Sequence, residues 1–304
     1  MLLKATLVVN VNLRELSISE LRIERDGDFI SIGRVLEKKP RKLVALVGES
    51  DLSSLSVDSE IASVITTADL ADRVPRGTGL VISSQPQITL YKIHNSLARD
   101  GEFYKGPFKN QIDDGARIHP TACIAAESVT IGKGCVVGPN VSILENSILE
   151  SDVFVGTGSV IGGATSLTYV DGEKTVDVIS TGGVILHSNV GIHANCCVNR
   201  AVLGGYTEVG EYTKTDNLVQ IGENSKIGRR CIIPACASVG ANVMVGDDVW
   251  IGPNSVISDG LSIGHKAFIT IGSVVVEDVA PGQKVTGNFA IDHNRFIELM
   301  RRIR

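Results

Sequence analysis

Residues 221–252 read "IGENSKIGRRCIIPACASVGANVMVGDDVWIG", and the aliphatics at 221, 227, 233, 239, 245 and 251 stand six apart. An α-helix repeats every 3.6 residues and a strand every two, so a strict period of six marks a short unit copied along the chain. Glycine follows the aliphatic at 222, 228, 240, 246 and 252. A small or short apolar residue stands four places on, as at Ser225, Cys231, Ala237 and Val243. A six-residue strand and turn cannot bury its own aliphatic, so it must stack on copies of itself.

The register extends in both directions. From Leu203 to Val275 every sixth residue is Ile, Leu or Val, with Thr215 the exception. Upstream it runs through Ile131, Val137, Ile143, Leu149, Val155 and Ile161, is preceded by Ile118 and Ile124, and resumes at Leu186, Ile192 and Val198. The slips are one extra residue after Ile124, one missing after Val198, and an insertion at 163–183, expected to form a loop reaching towards a neighbouring copy. Three hexads close a triangular coil, and roughly eight coils would stack into a prism filled by aliphatics, each contributing about 1.5–3 kcal/mol on full burial. The glycines are expected at corners of positive φ.

Residues 1–115 lack the hexad and read as an α/β domain. "KLVALVG", "IASVITT" and "GTGLVIS" have the pattern of buried strands, and "ITLYKIHNSLA" that of a helix in which His94 is structural. The prism spans 116–287, and 288–304 form a C-terminal helix that Asp292 can cap. The fold class is therefore mainly β, a parallel β-helix with an N-terminal α/β domain and a C-terminal helix.

Composition agrees with a thin, turn-rich fold: aromatics are 4% of the chain and glycines number 32. A net charge of −5 argues against a nucleic-acid partner. No run reaches the ~18 apolar residues of a membrane span, and no cleavage signal follows the first residues, so a cytoplasmic location is expected. The six cysteines include no CxxC pair and read as reduced thiols.

An α/β leader, then "IHPTACIA", hexads, "TKTDNLVQIGEN", "WIGPNSVI", "TIGSVVVEDV" and "GNFAIDH" together resemble the hexapeptide-repeat UDP-3-O-acylglucosamine N-acyltransferases of lipid A synthesis. The resemblance implies a left-handed coil, a homotrimer with sites between adjacent prisms, and an acyl donor carried as acyl-CoA or acyl-ACP. It also implies a nucleotide-linked amino sugar as acceptor, for lipopolysaccharide, O-antigen or other surface polysaccharide. In that family the segment matching 217–224 reads like NxxQIAHN, with its histidine the proposed base; here Glu223 holds the place. A second family histidine is replaced by Gly260, and the uridine-associated aromatic segment has no match near "VGESDLSS".

N-acylation needs a neutral amine, an acceptor for its proton and donors for the developing oxyanion. The candidate acceptors are Glu223, His193 and His187, the histidines standing where glycine is commoner. Asn217, Gln220 and Asn224 are candidates to position the sugar; Lys266, Lys284 and Arg295 could meet the phosphates of the donor arm. Two other classes stay open. A zinc-dependent carbonic anhydrase would need a third histidine beside His187 and His193, and no metal is expected. A non-catalytic relative that binds a nucleotide sugar would explain the absent family histidine.

Overall fold

The computed structural model of the chain describes residues 9–16, 18, 21–55, 58–104, 106–287 and 292–303. It divides into two compact units, one formed by residues through Lys109 with Ala164–Gly183 and Arg200–Tyr206, the other by Asn110–Gly163, Val184–Asn199 and Thr207 onward.

The second unit is a left-handed parallel β-helix. Two-residue strands dominate its three parallel sheets of eight, nine and eight strands. We call them face 1 (Gln111–Ile112 through Ser262–Ile263), face 2 (Arg117–Ile118 through Lys284–Val285) and face 3 (Cys123–Ile124 through Val274–Val275). Gln220, Ser238, Val256 and Val274 pair in succession, 18 residues apart, so three hexads make one coil. The stepped aliphatics from Ile131 to Val275 fill the interior; Ile143, Leu149, Val155, Ile221, Ile233, Val239, Ile251 and Ile269 are wholly buried. Backbone amides and carbonyls pair coil to coil, which satisfies the polar groups that such a narrow core cannot.

The left-handed conformation at the corners does not fall on the glycine after the aliphatic. It falls two residues later, on Tyr212, Leu218, Asn224, Arg230, Cys236, Asn242, Asp248, Asn254 and Lys266, with φ between 55° and 62°. The glycine answers a different demand, close approach of stacked backbones. A Cβ on Gly222 would lie 2.6 Å from the carbonyl carbon of Gly240, and one on Gly228 2.3 Å from the oxygen of Gly246.

Two excursions interrupt the coil. Val160 pairs with Cys197, and Cys197 with Gln220. The second step is 23 residues (220 − 197), five more than a coil, so the segment after Val198 carries an insertion and not the single deletion read from the hexads. Leu203 consequently lies outside the aliphatic column; it packs in the first unit's core with Val178 and Val202. The first excursion is not a free loop. Thr168–Asp171 and Lys174–Asp177 form an antiparallel hairpin assigned to the first unit.

That unit holds a five-stranded sheet in the order Arg22–Arg25, Gly79–Ile82, Ile61–Thr66, Lys42–Ala45, Ser31–Ile32, parallel except for its first strand. The helix Pro86–Asp100 buries Leu90 and Ile93 and ends at Gly101, whose φ of 76° is the left-handed conformation that favours glycine at a helix C-terminus. The same helix secures the hairpin. Asn95 donates to the Asp177 carbonyl and accepts from the Ile179 amide, and buried His94 donates from Nε2 to the Ile179 carbonyl while Nδ1 accepts from the Tyr104 hydroxyl. Burial holds the His94 pKa down at about 4, against an ordinary 6.5, so the ring is neutral.

A terminal helix covers His293–Ile303, and Asp292 accepts from the Arg295 amide at its start. Residues 288–291 and 304 of the expected helix, including part of "GNFAIDH", lie outside the described residues.

Candidate active site

The β-helix distributes the candidate side chains by arithmetic. The hexad 216–221 begins at the corner between faces 2 and 3 and ends on the strand Gln220–Ile221 of face 3; 222–224 turn the next corner, from face 3 to face 1. Asn217 therefore lies at one corner and Glu223 with Asn224 at the next. Gln220 projects between them from the outer side of face 3, half-buried.

The amides at these corners are part of the stacking. Asn217 Oδ1 accepts from the Ala194 amide of the coil below at 3.0 Å, and Asn224 Nδ2 donates to Asn242 Oδ1 at 3.1 Å. Glu223 is partly exposed, its backbone carbonyl accepts from the Asn242 amide, and its carboxylate has no partner among the described residues.

His187 and His193 share a coil but sit at different corners, His187 where face 1 meets face 2 and His193 where face 2 meets face 3. Their surroundings differ. His187 lies between two carboxylates, Nδ1 3.2 Å from Glu150 and Nε2 3.4 Å from Glu208, and Lys226 closes the array by pairing with Glu208. The hydrogen bond to Glu208 raises the His187 pKa, and the same contact with that of Lys226 holds Glu208 down at about 2. An imidazole with a carboxylate at each nitrogen is favoured as the cation, and neither nitrogen is left open to take a substrate proton. Glu150 and Glu208 lie 37 and 21 residues from His187 in sequence, and hexad reading did not bring either forward as its partner.

His193 is exposed, and its ring nitrogens have no hydrogen-bond partner among the described residues. Its ring meets the Phe154 ring at 5.5 Å between centroids and 64° between planes. The backbone beneath it is fixed: the carbonyl accepts from Ser159 Oγ at 2.6 Å and the amide donates to Thr215 Oγ1 at 3.2 Å. Rigid backbone with a free imidazole is what a proton acceptor requires.

Lys266, Lys284 and Arg295 occupy three separate elements: the corner between faces 1 and 2, the outer side of face 2, and the terminal helix. Lys284 lies over the Phe268 ring, 5.1 Å from its centroid, and Phe268 stacks on Trp250. Among the described residues no three His, Cys, Asp or Glu side chains form a group able to hold a metal, and no helix is long and apolar enough to cross a membrane.

Comparison with known proteins agrees with the coil. The family described as bacterial transferase hexapeptide (six repeats) matches residues 128–163. UDP-3-O-acylglucosamine N-acyltransferase 1 of Francisella tularensis subsp. holarctica (strain OSU18) is 29% identical over 244 residues, 69% of either chain. A UDP-3-O-acylglucosamine N-acyltransferase of Caulobacter vibrioides (strain NA1000 / CB15N) is 37% identical over 101 residues, 33% of this chain and 29% of that one. Among solved structures, the Francisella novicida UDP-N-acetylglucosamine acyltransferase aligns with a TM-score of 0.49 at 21% identity, over 63% of this chain and 73% of that one. The chain thus matches the hexapeptide transferase family over residues 128–163 and is similar to N-acyltransferases over about two thirds of its length.

Proposed function

We propose that the chain moves an acyl group from a phosphopantetheine thioester, acyl-CoA or acyl-ACP, to the amino group of a nucleotide-linked amino sugar used in lipopolysaccharide or surface-polysaccharide synthesis. The amine attacks the thioester carbonyl, the C–N bond forms as the C–S bond breaks, the amine proton passes to a protein base and the thiolate leaves to be protonated. The observation that carries the reading is a free imidazole, His193, on a corner of a helix whose relatives are named as N-acyltransferases.

His193 is the proton acceptor in this scheme. His187 is not, because both its nitrogens face carboxylates. Glu223 stands where the lipid A enzymes carry their histidine, and its carboxylate, unpartnered among the described residues, suits the sugar's neutral amino group as a hydrogen-bond acceptor. Gln220, outward on the strand between the Asn217 and Glu223 corners, is placed to meet sugar hydroxyls. Lys266, Lys284 and Arg295 are assigned to the donor's phosphates. His193 and Glu223 stand at different corners, so the scheme brings them to one substrate by packing prisms side by side as a cytoplasmic homotrimer.

The test is incubation with acetyl-CoA, longer acyl-CoA and acyl-ACP donors against UDP-, dTDP- and GDP-linked amino sugars, with mass detection of the amide. N-acylation of a simple nucleotide amino sugar supports the reading, and acceptance only of a 3-O-acylated glucosamine makes it the lipid A enzyme. Binding of a nucleotide sugar with no product from any pair would make the chain a non-catalytic relative.

A further inference from the structure

One position of the buried column is a hydroxyl. Thr215 stands where every neighbouring coil carries Ile, Leu or Val, and only 2% of it is exposed. The coil ladder is irregular at the same step. Elsewhere the amide after the inward residue donates to the inward residue's carbonyl one coil on, as Gly156 to Ile192, Gly222 to Val239 and Gly228 to Val245. At His193 the amide donates to the Thr215 side chain at 3.2 Å, and the strand pairing there has shrunk to Gly191 with Lys214. The strand ending at Ile233 also shows a single pair, which its next residue explains: Pro234 has no N–H to give. His193 has an N–H, and it is given to the Thr215 hydroxyl instead. The peptide that carries the His193 side chain is thus held by a side-chain hydroxyl and not by the carbonyl ladder.

The hydroxyl is tied in on its other side. Thr215 Oγ1 lies 3.5 Å from Cys196 Sγ, which donates to the Asp216 carbonyl at 3.0 Å, and the Cys196 amide donates to Ser159 Oγ, itself bonded to the His193 carbonyl. Thr215, Cys196 and Ser159 thus form a buried polar clamp that grips His193 at its amide and carbonyl.

The geometry points to Thr215 as a positioning residue that sets the His193 imidazole for proton transfer. This rests on the proposed role of His193. A valine in its place restores the aliphatic column and returns the His193 amide to the carbonyl ladder, which turns the ring away from its working direction. The fold should not suffer; the chemistry should. A base displaced by about an ångström loses on the order of 10- to 100-fold in rate.

The experiment compares wild type, Thr215→Val, Thr215→Ser and His193→Asn in turnover, melting temperature and the rate at which His193 is carbethoxylated, read by mass spectrometry. Expected for Thr215→Val is an unchanged or higher melting temperature, KM within twofold, kcat down roughly 10- to 100-fold, and an altered His193 modification rate. Thr215→Ser should track wild type throughout. Equal kcat and equal His193 reactivity in Thr215→Val would overturn the assignment, as would a loss of stability with kcat intact. Should wild type acylate nothing, the functional reading fails, while His193 reactivity in the Val and Ser variants still decides whether Thr215 positions the ring.

Discussion

Acidification should loosen the first excursion from the α/β unit before it harms the β-helix. His94 is wholly buried and neutral, using one nitrogen as donor to Ile179 and the other as acceptor from Tyr104, with Lys39 and Glu37 the charged groups acting on this cluster. Its folded pKa of about 4 lies below the ordinary 6.5, so the unfolded segment binds the proton more tightly. The stabilisation is complete above pH 6.5 and is lost as pH falls towards 4. A gap of about 2.5 units corresponds to about 3 kcal/mol in all, of which about 2 kcal/mol is gone by pH 5, roughly a 30-fold rise in the opened population. Hydrogen–deuterium exchange of peptides spanning 164–183, corrected for intrinsic rates, reads that population directly. Wild type should show the rise between pH 7.5 and 5, and His94→Gln should be flat. A flat wild type, or the same slope in both proteins, would refute the assignment of a neutral His94 as the pin.

Glycine 228 and glycine 260 should respond oppositely to a side chain. Gly228→Ala drives a Cβ into the Gly246 carbonyl and should cost roughly 1–3 kcal/mol in thermal melts. Gly260→Asn places a residue that tolerates φ of 77° in open space and should change stability by no more than about 0.5 kcal/mol. Glu208→Gln removes the largest cause of the raised His187 pKa, so the His187 midpoint in an NMR titration should fall. The Glu208 contribution to stability, present above its ordinary 4.5 and lost as pH drops towards 2, should disappear from the acid limb of the wild-type melt profile. His193→Asn should lower kcat by roughly 10²- to 10⁴-fold, the range for a removed general base, and leave the melting temperature unchanged.

The column of aliphatics was legible because burial in a prism one side chain wide admits no other spacing: the six-residue interval alone places Ile221, Ile227 and Ile233 inside. Leu203 misled for the same reason. A five-residue excursion leaves an aliphatic one place short of the register, and the arithmetic cannot tell that from a deletion. The hexad glycines were attached to the wrong demand, since a sequence marks where glycine stands but not whether φ or a stacked carbonyl requires it.

The candidate site was legible only in its residue types. His187 and His193 looked alike in "LHS" and "IHA". What separates them are Glu150 and Glu208 on other coils and a hydroxyl under one corner. Thr215 was visible as the break in the column, and its partner, the His193 amide, became evident only when coils were stacked.

The most direct measurement of the central claim is thiol release, followed side by side for wild type, His193→Asn and Glu223→Gln with one acyl-CoA and the best nucleotide-linked amino sugar. The account requires release by wild type matched one to one by amide, a collapse in kcat for His193→Asn, and for Glu223→Gln a rise in the sugar's KM with kcat largely kept. Full activity in His193→Asn with collapse in Glu223→Gln would move the base to the other corner and contradict the account.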